Sequence, residues 1–250
     1  MILLFIDKKN LNQKKMKNLI TKTTFILILT IAFNQYLQAS SFKTTTKNYT
    51  VKEFNILNAS SAFQVEFIYS DENKVSVEID EDVAKNLFVG NNGNTLIIKL
   101  KDCNYCKTHT LKAKVYGNTL SGINISGAST FTSNYVFNEN NMSITTSGAS
   151  KVSVALKTTQ LKINISGASK ITVTGNATYQ TIEATGASTY HAEKCISNNI
   201  NAKASGASKV IINCNELLDA EASGASSIRY ITKPKTIQQN ISGASSIREN

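Results

Sequence analysis

The chain of 250 residues sets 27 Lys and Arg against 17 Asp and Glu, a formal net charge of +10, with one Pro, no Trp and only two His. That is sparse equipment for catalysis, and the basic excess lacks any block of five or six like charges, which argues against nucleic-acid binding. Six Lys and one Asp lie within residues 1–39, so residues 40–250 carry a net charge of only +5.

Those first 39 residues read as a secretory signal. Lys14, Lys15, Lys17 and Lys22 form a basic region, Phe25 to Phe33 an apolar one, and Leu37-Gln38-Ala39 a cleavage site before Ser40. Met16 offers an alternative start, because residues 1–15 add nothing to the signal. The apolar stretch is too short to cross a bilayer, so no transmembrane span is expected after its removal. An extracytoplasmic location is expected, in the periplasm, at the cell surface or secreted.

Residues 40–118 form a β-rich N-terminal region. Phe63, Val65, Phe67 and Tyr69 alternate with polar residues, as do Val75, Val77 and Ile79, and the turn Ser70-Asp71-Glu72-Asn73 between them predicts a hairpin. A short helix is predicted from Asp80 to Phe88, with acidic residues in its first turn. A loop at Gly90-Asn91-Asn92-Gly93-Asn94 leads to strands at Leu96–Leu100 and Leu111–Tyr116. This region is expected to cover the open edge of residues 119–250 or to continue their sheets.

Four Cys lie beyond the signal: Cys103 and Cys106 in a Cys-x-x-Cys, and Cys195 and Cys214 nineteen residues apart. Export makes disulfides the first reading. Free thiols, and redox or metal chemistry at the Cys-x-x-Cys, remain alternatives, and for Cys195 and Cys214 a bond and two stacked free thiols are equally open.

Residues 119–250 are built on a repeat. Ser-Gly-Ala-Ser stands at 126–129, 147–150, 166–169, 205–208, 223–226 and 242–245, and Thr-Gly-Ala-Ser at 185–188. The glycines, Gly127, Gly148, Gly167, Gly186, Gly206, Gly224 and Gly243, are 18 to 21 residues apart. Apolar or small residues alternate on both sides of each, a period of two that means strands. No 3.6-residue pattern occurs, and a propeller blade needs about 40 residues. The expected fold is therefore all-β: a right-handed parallel β-solenoid of about seven coils, with strands bent at the tetrapeptide and stacked about 4.8 Å apart. In this reading Gly makes the corner, Ala supplies a small side chain where the core narrows, and the two Ser hydroxyls bond neighbouring backbone or each other.

Parallel solenoids also host polysaccharide-cleaving enzymes. Glu183 and Glu221 fall two coils apart, roughly 9.6 Å by stacking, near the separation of an inverting pair. Lys203 lies between them and would keep both ionised. Asp219, Glu221 and Glu216 are the nearest approach to a calcium cluster, but Lys203 intrudes again, so neither a metal nor a cofactor is expected. The tetrapeptide Ser residues are not nucleophiles either, since His109 and His191 cannot serve seven equivalent sites. On the strand after each corner, Lys151, Lys170, Lys209 and Arg229 face outward as candidate contacts for acidic glycans or envelope polymers. An ordinary solvated face is the plainer reading of these residues, and no Tyr or Trp platform for sugar stacking stands out.

The repeated Ser-Gly-Ala-Ser with alternating strands, the opening Phe54-Asn55-Ile56 and the ending Lys233-Pro234-Lys235 before Ile241-Ser242-Gly243-Ala244-Ser245-Ser246-Ile247 resemble the putative auto-transporter adhesin head GIN domain family. The resemblance covers most of residues 50–248. At the family's early Gly-Ile-Asn signature this chain reads Ala62-Phe63-Gln64. The resemblance implies a β-solenoid, export to the envelope and an adhesive role, without a catalytic residue. A purely structural envelope or assembly part is the alternative, and a carbohydrate-active enzyme comes third.

Overall fold

A computed structural model describes residues 43–102, 108 and 110–250; the signal at 1–39, Cys103, Cys106 and His109 lie outside the described residues. Residues Thr44–Asn250 form one compact unit, a β-solenoid of about seven turns. Five long strands run from one tetrapeptide to the next: β9 (Thr130–Thr146), β10 (Lys151–Ile165), β11 (Lys170–Ala184), β12 (Thr189–Ala204) and β13 (Lys209–Ala222). Each pairs in parallel with the next, so every coil contains one tight corner and one bend within a continuous strand.

The corner is held by a backbone ladder. Ala168 N–H donates to Gly148 O at 2.8 Å, Ala187 to Gly167 at 2.9 Å, Ala207 to Gly186 at 2.8 Å, and Ala225 and Ala244 continue the series at 2.7 Å. Gly167 takes φ +69°, and a Cβ there would lie 2.4 Å from Gly148 O, well inside contact distance. Only a residue without a side chain can adopt this left-handed turn and leave room for the coil beneath.

One expectation is reversed at this corner. The Ala of each tetrapeptide is exposed and the final Ser of the first six is buried, Ser129, Ser150, Ser169, Ser188, Ser208 and Ser226 all being at most 2% exposed, while Ser245 in the last is half-buried. The left-handed Gly turns the following residue outward, so the small inward side chain is a hydroxyl. Most of these hydroxyls bond the coil below: Ser169 Oγ accepts from Ser150 N–H (3.3 Å) and donates to Gly148 O (3.4 Å), Ser208 Oγ donates to Ala184 O (3.2 Å) and Ser226 Oγ to Ala204 O (3.0 Å). Ser188 Oγ has no hydrogen-bond partner among the described residues.

Register makes the core continuous. Phe131, Val152, Ile171, Tyr190, Val210 and Ile228 stack in one inward column, and Ile144, Ile163, Ile182, Ala202 and Ala220 in another, none more than 2% exposed. Burying an aliphatic or aromatic side chain so fully is worth roughly 1.5–3 kcal/mol each. Phe67, Phe131, Phe137 and Tyr190 are among the largest fully buried side chains of the interior.

Coil length varies, and the bends absorb the variation. The 21-residue coil fits against its 19-residue neighbour because the stretch from Thr132 to Val136 spans the register occupied by Ser153 to Ala155. The 20-residue coil gains its residue between His191 and Lys194, opposite Thr172 to Thr174. Such bulges re-aim side chains while the ladder resumes beyond them.

The N-terminal region continues the solenoid and closes its end. β2 (Ile56–Ala59) and β3 (Gln64–Tyr69) flank a corner at Ser60 to Phe63, whose Ala62 N–H donates to Gly127 O at 2.8 Å. Ala62 itself has φ +66°, at the position where the resembled family carries glycine. Further out, β6 (Thr95–Leu100) stacks on β2 and β7 (Leu111–Gly117) on β3, while β8 (Gly122–Ile125) returns on the other side of β2. The β2–β3 layer is thus intercalated between layers that come after it in sequence. Antiparallel strands cover this end: β4 (Lys74–Asp80) on β7, β1 (Thr44–Thr50) on β4, and β5 (Leu87–Asn92) on β6. The predicted hairpin of β3 and β4 is not formed, because both edges of β3 are occupied in parallel by β7 and β9. The predicted helix is a single 3-10 segment, Glu81–Asn86. β14 (Ser227–Tyr230), β15 (Thr236–Ile241) and β16 (Ser246–Glu249) form the last layers.

Gly167→Ala should cost about 1–3 kcal/mol through backbone strain alone, with the contact to Gly148 O adding to it. Ser226→Ala should cost about 1 kcal/mol for its lost hydrogen bond, whereas Ser188→Ala should cost nothing. Denaturant unfolding of the three variants checks this order, and equal loss for both Ser variants would show that the hydroxyl ladder is not what stabilises the corner.

Candidate functional site

The pleat leaves two outward faces. On the face after the corner, Lys151 and Lys170 are register neighbours on β10 and β11, followed by Thr189 and then Lys209. Lys151 and Lys170 are exposed, and neither is in an ion pair among the described residues. Lys209 is partly shielded and lies near Glu193. Burial opposes the ionisation of that carboxyl, yet the hydrogen bond from His191 (2.7 Å) and the charges of His191 and Lys209 hold it below the usual range. Arg229 stands one column over, in register with Ile211 and Arg248, and its Nη1 donates to Asn250 Oδ1 at 3.4 Å. The four sequence candidates are therefore one close pair and two outliers.

On the face before the corner, Glu183, Lys203 and Glu221 are direct register neighbours. Lys203 Nζ lies 3.2 Å from Glu221 Oε2. Asn201 Nδ2 donates to Asp219 Oδ2 at 2.9 Å, and Glu216 pairs with Lys235 at 2.8 Å. Asp219, Glu221 and Glu216 thus each have a partner on another strand or loop, and no three His, Cys, Asp or Glu converge among the described residues.

Towards the N-terminal end of the same face lies a trough of about 430 Å³, lined by Asn141, Gln160, Tyr179, Ser143, Lys162 and Thr181 among others. Tyr179 is 51% exposed. It is an aromatic platform that sequence reasoning passed over; the signal was the column seven residues before the glycines, reading Asn141, Gln160, Tyr179, Asn199. A second aromatic feature sits at the bulge of the longest coil, where Tyr135 stacks on exposed Tyr69 with centroids 4.9 Å apart.

Cys195 and Cys214 are buried free thiols, not a disulfide. Cys195 belongs to the bulged stretch of β12, and Cys214 pairs in register with Ser197 two residues on, so the unequal coil lengths shift the two out of line. Cys195 packs in a buried polar group, where Tyr190 Oη donates to Gln180 Oε1 (2.8 Å) and Gln180 Nε2 donates to Ser197 Oγ (2.6 Å) and Cys195 Sγ (3.5 Å). Burial pushes the Cys195 thiol up to about 12 and that of Cys214 to about 11.

A family model described as putative auto-transporter adhesin, head GIN domain, matches residues 53–234. The fold is shared with a putative adhesin from Bacteroides fragilis NCTC 9343, at TM-score 0.79 and 21% identity over 84% of this chain and 98% of that one. It is shared too with a putative lipid binding protein from Parabacteroides distasonis ATCC 8503 (TM-score 0.69, 19% identity, 84% and 98% covered). A putative adhesin from Parabacteroides merdae ATCC 43184 has TM-score 0.69 and 18% identity over 84% and 97%. No curated protein matches the chain.

Both thiols should resist alkylation at pH 8 in the folded protein, as peptide mass mapping would read. Because burial raises their pKa above the ordinary value of 9.0, their contribution to stability is present in full below pH 9 and is lost as pH rises towards 11–12. A Cys195→Ala/Cys214→Ala variant should show a shallower alkaline decline in unfolding free energy than the parent.

Proposed function

The chain belongs to the auto-transporter adhesin head GIN domain family, and on that premise we propose that it is an exported, non-catalytic module that binds acidic polymers of the cell envelope. Cleavage after Ala39 would release it outside the cytoplasm. The observation that carries the reading is the pair Lys151 and Lys170, two exposed ammonium groups on adjacent coils, in register and without ionic partners among the described residues. A flat sheet presents such groups at a fixed repeat of about 4.8 Å, which suits a linear polyanion. The apolar interior is occupied by buried side chains such as Phe67, Phe131 and Phe137, which favours contact through the outer faces and bears on the lipid-binding name of one structural neighbour. Against a glycosidase reading stands Lys203, which lies in register between Glu183 and Glu221 and forms an ion pair with Glu221, so that no water-filled gap separates two facing carboxyls as an inverting mechanism needs.

The chain beginning at Ser40 should bind an acidic glycan on an immobilised array, and the binding should weaken with salt because exposed charges are screened within about 8–10 Å. Lys151→Ala/Lys170→Ala should weaken it about tenfold, if each contact is worth roughly 0.5–1 kcal/mol. Adding Lys209→Ala should change little further, since Glu193 already offsets that charge. Salt-insensitive binding, or turnover of a polymer abolished at Glu183 or Glu221, would overturn the proposal.

A further inference from the structure

We propose that the trough around Tyr179 is a saccharide subsite, in which a sugar ring stacks on the Tyr179 face, its hydroxyls are held by the Asn141 and Gln160 amides, and Lys162 favours a uronic acid. The inference rests on the reading of the chain as an envelope-polymer binder. It assigns the ligand class and a second contact surface, on the opposite face from Lys151 and Lys170.

The two ends of this face differ in how their polar groups are satisfied. At its C-terminal end the outward groups satisfy one another, Asn201 bonding Asp219 and Lys203 pairing with Glu221. Two coils before Asn201, its column holds Lys162, and the column beside it holds Gln160 and Asn141; these side chains make no hydrogen bond or ion pair among the described residues. These groups line a shallow, open concavity, and its volume of about 430 Å³ lies within the range of about 300–1,000 Å³ usual for ligand sites. Tyr179 lies in register with Gln160 on one side and Asn199 on the other, and half of it is open to solvent.

The chemistry of the lining selects the ligand. A primary amide both donates and accepts, so it can bond vicinal hydroxyls as a pair. A phenol ring offers an apolar face with negative quadrupole, to which the axial C–H groups of a pyranose are attracted. Ser143 and Thr181 add hydroxyls on either side of Lys162. The lining contains one ammonium and no carboxylate, which favours a carboxylate-bearing sugar over its neutral counterpart. Because these side chains come from β9, β10 and β11 at successive coil levels, the saccharide lies along the solenoid axis, crossing the strands.

An array of immobilised oligosaccharides, with uronic-acid sugars and matched neutral ones, followed by calorimetric titration of the best binder, tests this. Tyr179→Ala should weaken binding at least tenfold without shifting the thermal midpoint, Tyr179→Phe should retain it, and Lys162→Gln should erase the preference for the acidic sugar while leaving the neutral one. If Tyr179→Ala binds as the parent does while Lys151→Ala/Lys170→Ala does not, the trough is refuted and the polymer-binding reading stands. The reverse pattern supports the trough and refutes the lysine pair. Failure of the parent to bind any oligosaccharide refutes both.

Discussion

Everything in this fold depends on one hydrogen bond made repeatedly, from the Ala N–H of a tetrapeptide to the Gly carbonyl of the coil below. To point that carbonyl along the axis, the corner must turn with a left-handed residue, and to let the next coil approach, that residue must lack a Cβ. At Gly167 both conditions are visible, in φ +69° and in the 2.4 Å that a Cβ would leave to Gly148 O. Because the glycines of all seven tetrapeptides share a positive φ, neighbouring strands start in register. Every inward residue then falls on an inward residue of the next coil, as in the column from Phe131 to Ile228.

The bends behave differently. A coil may differ from its neighbour by one or two residues provided that the excess is expelled where no corner geometry has to be matched. Residues Thr132 to Val136 do this and bring Tyr135 onto Tyr69. The stretch around Cys195 does the same in β12. The rigid corner therefore keeps the flat faces aligned, and the bends carry individual surface features. Both candidate contacts, the Lys151 and Lys170 pair and the Tyr179 trough, lie on faces whose register the corner maintains.

The N-terminal layers show how such a rod can be closed at one end. β2 and β3 extend the parallel faces, and β1, β4 and β5 then add antiparallel strands whose outward residues, such as Thr44, Thr46 and Asn48, are polar and exposed. An uncovered parallel edge would offer a template for another chain. At the other end the last layer keeps Ile241 at 44% exposure, where the equivalent Ala222, Ala204 and Ala184 are buried.

What the sequence determined by itself was the repeat: seven spaced tetrapeptides and a period of two specify a stacked all-β coil, because the signal is local and recurs. The outward lysines and the Glu183–Lys203–Glu221 ladder were legible for the same reason, since counting from each glycine gives the column. Tertiary structure decided whatever depends on the partner of a strand instead of its own pattern. Phe63 to Tyr69 and Val75 to Ile79 look like hairpin arms, yet β7 comes between them, because the hydrogen bonds of β3 are all taken by parallel neighbours from later in the chain. Cys195 and Cys214 stand nineteen residues apart, about one coil, but the place where β12 takes up its extra residues shifts them out of line. Which tetrapeptide residue enters the core was decided by the sign of one glycine's φ, a quantity that the residue type permits but does not impose. The trough needed three coils side by side, since Asn141, Gln160 and Tyr179 are nineteen residues apart in sequence and adjacent only once the ladder has formed.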